Sequence, residues 1–278
     1  MYKAYSTGDI GHSVKFKDAA EIGAKVGFEG YWFNIVGDSD IPVSETKAIL
    51  SKNNLIAAGF GLPVEFRADE ETFLSDLNKL DGYAKYAAEI GAKRCATWIM
   101  PCSDSLTWEE NFELHRLRLR KCSEILEKYD IRLGLEFVGP ATLRKGKKYE
   151  FIHNLDQMLE LCDAIGTDNM GLLIDIFHWD TARQTNGDWT KITNKQVVLV
   201  HINDAPDVAI EDQEDQIRKL PGETGVLKIS EFFNGLKSIG YDGPVIAEPF
   251  QRNLSEMPIQ DATNVIMTSI NKVWPSRA

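Results

Sequence analysis

The heptapeptide AAEIGAK occurs twice in this chain, at 19–25 and at 87–93. Each copy closes a stretch of helical periodicity and leads into an apolar run, FEGYWFNI after the first and RCATWI after the second. A variant of the unit, LKSIGYDGPVIAE, begins at Leu236. Gly23 and Gly91 are expected where a helix closes in a left-handed turn, a conformation open to glycine. A helix–glycine–strand unit that recurs implies alternating β and α elements and a parallel sheet.

Followed along the chain, apolar runs that read as strands fall near 1–6, 30–35, 55–60, 94–99, 131–136, 170–175, 197–202 and 244–248. Helical stripes lie between them. Leu77, Leu80, Ala84, Ala87 and Ala88 form one, and Leu155, Met158, Leu159, Cys162 and Ile165 a second. Val226, Ile229, Phe232, Phe233, Leu236 and Ile239 form a third. Thr107-x-x-Glu110 and Asn154-x-x-Gln157 read as helix starts in which side chain and backbone cap each other. Eight strands alternating with about eight helices predict an α/β fold, a single (β/α)8 barrel domain over residues 1–278. The rival is an open doubly wound sheet. No GxGxxG or GxxxxGK[ST] follows the first strand, which weakens the nucleotide-binding version of that rival. The polar stretch 203–224 follows the seventh strand and is expected to overhang the site as a mobile loop.

Four of the runs stop on a residue that can bind a divalent cation: Glu136 in LGLEFVGP, Asp175 in GLLIDIFHW, His201 in VVLVHIND and Glu248 in GPVIAEPF. A single glutamate at a strand end is more often a solvated turn residue. Four in series at equivalent ends are how a barrel assembles a site. Two glutamates, an aspartate and a histidine make a hard, oxygen-rich set that suits Mn2+, with Mg2+, Co2+ and Zn2+ as alternatives. A cation bound to a hydroxyl and its neighbouring carbonyl acidifies the C–H between them and stabilises the enediolate left behind. One carboxylate must take that proton and another return it, so Glu136 and Glu248 are the expected catalytic pair.

Around this set, His178 follows Asp175 by three residues and is read as facing substrate or supporting a ligand. The planar fork of Arg218 suits sugar hydroxyls or an enediolate oxygen. Trp32, Phe33, Trp98 and Trp179 fall at or near strand ends, and Trp98 is the expected substrate contact. Asn34 ends the second strand and is expected to bond a hydroxyl. His12, His115 and His153 lack acidic neighbours at ligand spacing and are read as structural.

Composition narrows the class. The formal net charge is -11, which argues against a nucleic-acid partner. The four cysteines, Cys95, Cys102, Cys122 and Cys162, form no CxxC or CxxH pattern and read as reduced thiols. MYKAYSTGDIGHS has neither a basic leader nor an apolar core, and no run approaches the ~20 apolar residues of a membrane span. A cytoplasmic protein is the expectation.

LGLEFVGP, GLLIDIFHWD, VHINDAP and RKLPGETGVLKISEFFNGLKSIGYDGPVIAEPF resemble the xylose-isomerase-like TIM-barrel superfamily of sugar isomerases and epimerases. Within it they are closest to inosose isomerases and ketose 3-epimerases. The resemblance is strong over residues 130–250 and looser before. It implies one divalent metal, often manganese, held by Glu136, Asp175, His201 and Glu248. It implies acid–base roles for Glu136 and Glu248, substrate binding by His178 and Arg218, and a dimer or tetramer. Two departures stand out. Pro221-Gly222-Glu223-Thr224-Gly225 is one residue longer than the usual P-G-x-G, and WFNI ends the second strand where many relatives carry an acid.

The leading expectation is a metal-dependent isomerase or epimerase of a small ketose, keto-inositol or related sugar. A lyase that expels a β-hydroxyl from the same enediolate, as in inosose dehydration, is the alternative. A non-catalytic sugar-binding protein is a reading of another class. Apurinic endonucleases share the barrel but use three zincs and many histidines, against five histidines here.

Overall fold

The computed structural model describes residues 1–276. Eight parallel strands close into a barrel: β1 (Tyr2–Tyr5), β2 (Gly30–Phe33), β3 (Ile56–Gly61), β4 (Arg94–Trp98), β5 (Arg132–Glu136), β6 (Met170–Asp175), β7 (Val197–Ile202) and β8 (Pro244–Ala247). They follow one another in sequence order, and β8 pairs with β1 to complete the ring. The open doubly wound sheet is thereby ruled out.

The outer layer is α1 (Phe16–Val26), α2 (Val43–Lys52), α3 (Glu70–Ile90), α4 (Trp108–Glu127), α5 (Leu155–Ile165), α6 (Ile176–Thr181), α7 (Ile229–Ser238) and α8 (Ile259–Val273). The sixth unit lacks the long helix of the others. Its helix stops after six residues, and 3-10 turns at Asn186–Lys191 and Asn194–Gln196 carry the chain back to β7. In place of a long apolar stripe, this stretch buries Trp179 on Trp189, with ring centroids 4.4 Å apart.

Local chemistry sets the boundaries of the helices. Thr107 and Glu110 form the reciprocal cap at the start of α4, and Asn154 caps α5 through the Gln157 N–H. Such caps contribute about 1 kcal/mol each. The buried face of α7 is Ile229, Phe232, Phe233 and Leu236, each worth about 2 kcal/mol on burial. Val226 lies before the helix and only extends the stripe in sequence.

The repeated heptapeptide behaves differently in its two copies. Gly91 ends α3 at φ 93°, as expected. Gly23 does not end α1, which runs to Val26 and closes at Gly27 with φ 97°. Gly23 sits inside the helix because Tyr5 packs on it: a Cβ there would lie 2.2 Å from the Tyr5 ring.

Two apolar layers result. One fills the space between the strands and the helices. The other lies inside the barrel, where the small residues Ala4, Ala58 and Ala96 make room for Trp32 against Leu173, Leu199 and Ile246. Trp32 is therefore barrel filling rather than a mouth residue, and Phe33 packs outward on Phe16 and Tyr31. All four cysteines are unpaired. Among the described residues no helix is long and apolar enough to cross a membrane.

Candidate active site

The strand register delivers the four expected residues to one place. Glu136 and Asp175 are the last residues of β5 and β6, His201 is next to last on β7, and Glu248 follows β8 directly. Asp175 and His201 are paired neighbours across β6 and β7. His201 Nδ1 lies 3.4 Å from Glu248 Oε2 and 3.8 Å from both Glu136 Oε1 and Asp175 Oδ2. Asp175 is aimed from two sides: its Oδ1 accepts the Phe177 N–H at 2.6 Å and, from the end of β7, the Asn203 amide at 3.2 Å.

Arg218 enters this cluster from the loop between β7 and α7. Its Nη1 donates to Asp175 Oδ2 at 2.8 Å and to Glu248 Oε2 at 2.7 Å. Its Nη2 lies 2.7 Å from Asp215 Oδ1 and 3.1 Å from His178 Nε2. Phe177 and Phe250 pack on the guanidinium at 5.0 and 4.4 Å. The loop that carries Arg218 is fastened at its base. Asp204 and Lys219 exchange backbone hydrogen bonds of 2.8 Å, and the buried Asp204 carboxylate accepts the N–H groups of Ala205, Thr224, Gly225 and Leu227. The extra residue in PGETG is accommodated here, since Thr224 and Gly225 both donate to Asp204 Oδ2. The longer loop thus still brings Arg218 into the cluster.

The electrostatics are unequal across the cluster. Burial and the neighbouring Glu248 charge push the Glu136 carboxyl well above the usual range. Burial works against the charge on Glu248 as well, but His201 and Arg218 outweigh it and hold that carboxyl at about 2. Burial likewise opposes the imidazolium of His201, yet Glu248, Glu136 and Asp175 raise it to about 10. Two carboxyls driven apart in this way are suited to opposite proton-transfer roles.

The donor set fits a divalent cation. Two overlapping groups, Glu136–Asp175–His178 and Asp175–His201–Glu248, each place one donor atom per residue within 4.8 Å of the others. Glu136 Oε1 and His201 Nδ1 are buried without a hydrogen-bond partner. An unpartnered buried polar atom is costly, and both atoms face the same centre, so ligation would satisfy them.

Beside the cluster opens a cavity of about 430 Å3. Glu136, His178, Asp215, Gln216, Arg218 and Glu248 form its polar side, and Trp98, Met100, Val138, Leu143 and Phe250 its apolar side. Of the expected substrate contacts, His178, Arg218 and Trp98 therefore share one cavity. Trp98 is 41% exposed, and the Arg67 guanidinium lies 4.0 Å from its ring centroid. Asn34 stands at the end of β2, exposed, at the N-terminus of the short helix Ile35–Asp38, and does not line this cavity. Trp179 is buried on Trp189. His12, His115 and His153 bond backbone carbonyls of Leu254, Asn111 and Phe151, apart from the cluster.

Three participants escape the sequence reading. Asp9, in the turn after β1, is partly buried, and burial together with the Glu248 charge raises its carboxyl to about 7. Asp9 stands four residues beyond β1, behind Ser6, Thr7 and Gly8, so the strand-end signal that marks the other four does not reach it. Asn203 follows β7 directly but is neither acid nor imidazole, and Asp215 carries no such signal because the loop alone brings it to Arg218.

A closed parallel barrel with acidic and imidazole groups converging at the C-terminal ends of its strands defines a (β/α)8 protein with its candidate site at the usual face. The chain belongs to the xylose isomerase-like TIM barrel family, whose model matches residues 16–269. It is similar to inosose isomerase of Halalkalibacterium halodurans, 27% identical over 144 residues that cover 52% of this chain and 48% of that protein. It thus spans about half the length of that curated relative. It is also similar to 2-oxo-tetronate isomerase of Haemophilus influenzae, 24% identical over 85% of this chain and 88% of the other. Among solved structures, a xylose isomerase domain protein from Alicyclobacillus acidocaldarius superposes with a TM-score of 0.86 at 27% identity, covering 98% of both chains.

Proposed function

We propose that this protein is a divalent-metal-dependent isomerase or epimerase acting on a small ketose, keto-inositol or related sugar. The observation that carries the reading is the meeting of Glu136 and Glu248, from strands that are not neighbours, around His201 and beside one cavity. The relatives that act on inosose and 2-oxo-tetronate support it at the level of reaction class.

Glu136, Asp175, His201 and Glu248 would hold the cation, and Mn2+ is the ion we assign. When bound, it would polarise a substrate carbonyl and its adjacent hydroxyl and stabilise negative charge on them. Glu248, kept ionised by His201 and Arg218, is the base that removes the proton from the carbon beside the carbonyl. Glu136, whose carboxyl burial and the Glu248 charge push upward, is the group that returns a proton from the other side. Arg218 keeps Glu248 aimed, and with His178 it forms the polar side of the cavity that would receive the sugar oxygens. Trp98, Met100 and Phe250 form the apolar wall that covers the sugar ring and limits water.

The test is incubation with Mn2+ and a panel of keto-sugars and keto-inositols in deuterated water. Deuterium should enter the carbon next to the carbonyl, with a product otherwise of unchanged mass. Loss of water from the product would make the enzyme a lyase. Binding without exchange would make it a sugar-binding protein.

A further inference from the structure

Arg67 lies in the loop between β3 and α3 and belongs to none of the motifs above. We propose that Arg67 is a positioning residue: it backs the Trp98 indole and holds it as a fixed wall of the substrate cavity. The sugar that this wall would receive rests on the isomerase reading; the hold on the indole does not.

The contact is made twice. The Arg67 guanidinium lies 4.0 Å from the centroid of the Trp98 ring, and its Nη1 donates to the Trp98 carbonyl at 3.0 Å. One side chain therefore grips both the ring and the backbone of Trp98. The negative face of an indole attracts a cation, and a planar guanidinium can also stack on it. The Phe66 ring lies 4.9 Å from the same guanidinium. Among the described residues no ion pair draws the guanidinium elsewhere; burial lowers its pKa, and the charge of Glu65 opposes this. Trp98 lines the cavity and Arg67 does not, so the effect of Arg67 on a ligand passes through the indole.

Both ends of the contact are anchored. Arg118, buried on α4, donates from Nη1 to the carbonyls of Phe66 and Ala68, the two neighbours of Arg67, and from Nη2 to Glu70. The backbone that carries Arg67 is thus fixed on either side. Trp98 ends β4 in register with Glu136 of β5, and the Ile99 N–H donates to the Glu136 carbonyl at 2.9 Å. The indole that Arg67 holds therefore belongs to the residue paired with a proposed catalytic carboxylate. At 41% exposure, Trp98 lacks the full packing that fixes a core ring. Without Arg67 it would be ordered only as a ligand bound, and that ordering would weaken binding.

The test places 5-fluorotryptophan in the full-length protein in the presence of Mg2+ and reads fluorine NMR, with Trp98→Ala to identify the Trp98 line among the six tryptophans. The wild type should give one sharp Trp98 line. In Arg67→Met that line should broaden or split while the remaining lines stay sharp. A Trp98 line that stays single and sharp overturns the proposal, as does broadening spread over all the tryptophans. A second arm reads sugar exchange: KM should rise about fivefold in Arg67→Met, with a smaller change in kcat. In the Trp98→Ala background the same substitution should leave KM where it was. A full further rise there would show Arg67 acting without the indole and overturn the proposal as well. If no sugar exchanges, the isomerase reading fails while the fluorine lines still decide the role of Arg67.

Discussion

Arg218 Nη1 lies 2.7 Å from Glu248 Oε2, joining the loop after β7 to the end of β8 deep in the barrel mouth. The guanidinium is 1% exposed, and its contacts include Asp175 and Asp215 as well. Truncating it would leave three carboxylates without that counter-charge. Arg218→Met is expected to destabilise the protein by about 3–5 kcal/mol, the usual cost of breaking a buried pair. Urea unfolding at neutral pH measures this. A loss under about 1 kcal/mol would mean that the carboxylates are compensated by something other than Arg218.

The proposed proton relay makes a paired prediction. Glu248→Gln and Glu136→Gln each keep the shape of the site and remove one proton carrier. Solvent deuterium exchange into the sugar should fall by about 10²–10⁴-fold in either variant. Near-wild-type exchange in one of them would show that the other glutamate works alone or that water substitutes.

His201 links metal affinity to pH. Its imidazole is raised to about 10 by Glu248, Glu136 and Asp175, so at neutral pH it is protonated and must lose that proton to become a ligand. Raising the pH removes the competitor. Affinity for Mn2+ should increase with pH, by up to about tenfold per unit, and level off as the pH passes that value. Calorimetry in buffers of different ionisation enthalpy would count the released proton. A flat profile, or an unchanged metal content in His201→Ala, would remove His201 from the ligand set.

His115 predicts acid sensitivity away from the site. Burial lowers its pKa from 6.5 to about 4, and its ring packs against Phe66 and Phe151. In the window between those values the unfolded chain binds the proton and the folded one does not. Stability should therefore fall as pH drops through this window, by ~3 kcal/mol in full. His115→Phe should lose less on acidification than the wild type, and equal losses would place the sensitivity elsewhere.

The two copies of AAEIGAK give a matched pair. Gly23→Ala drives a methyl into the Tyr5 ring and should cost about 1–3 kcal/mol by overpacking. Gly91→Ala meets no atom within 4 Å but holds φ 93°, and should cost about 1 kcal/mol through backbone strain alone. Relaxation of the Tyr5 ring in a crystal structure of the first variant, absent in the second, would separate the causes.

Much of this fold is legible in the sequence. Continuous apolar runs at regular spacing marked all eight strands, because a parallel strand is buried on both faces and needs no polar alternation. The caps at Thr107 and Asn154 were equally readable, since a cap is made by residues three apart. The sixth helix was not, because its short form is sustained by the Trp179–Trp189 stack, a contact made across a turn.

Local pattern determined that Glu136, Asp175, His201 and Glu248 stand at strand ends, because a strand end is a property of a few consecutive residues. Tertiary structure alone decided what surrounds them. Gly23 became a packing surface rather than a helix stop because Tyr5 from β1 reaches it. Asp9 feels the charge of Glu248 because β1 pairs with β8 when the barrel closes. Arg218 and Asp215 came to the cluster because Asp204 fastens a long loop by its backbone, a geometry that side-chain periodicity does not record. Sequence pattern specifies which groups reach the mouth of the barrel, while charges and donors converging from distant strands set each group's protonation and direction.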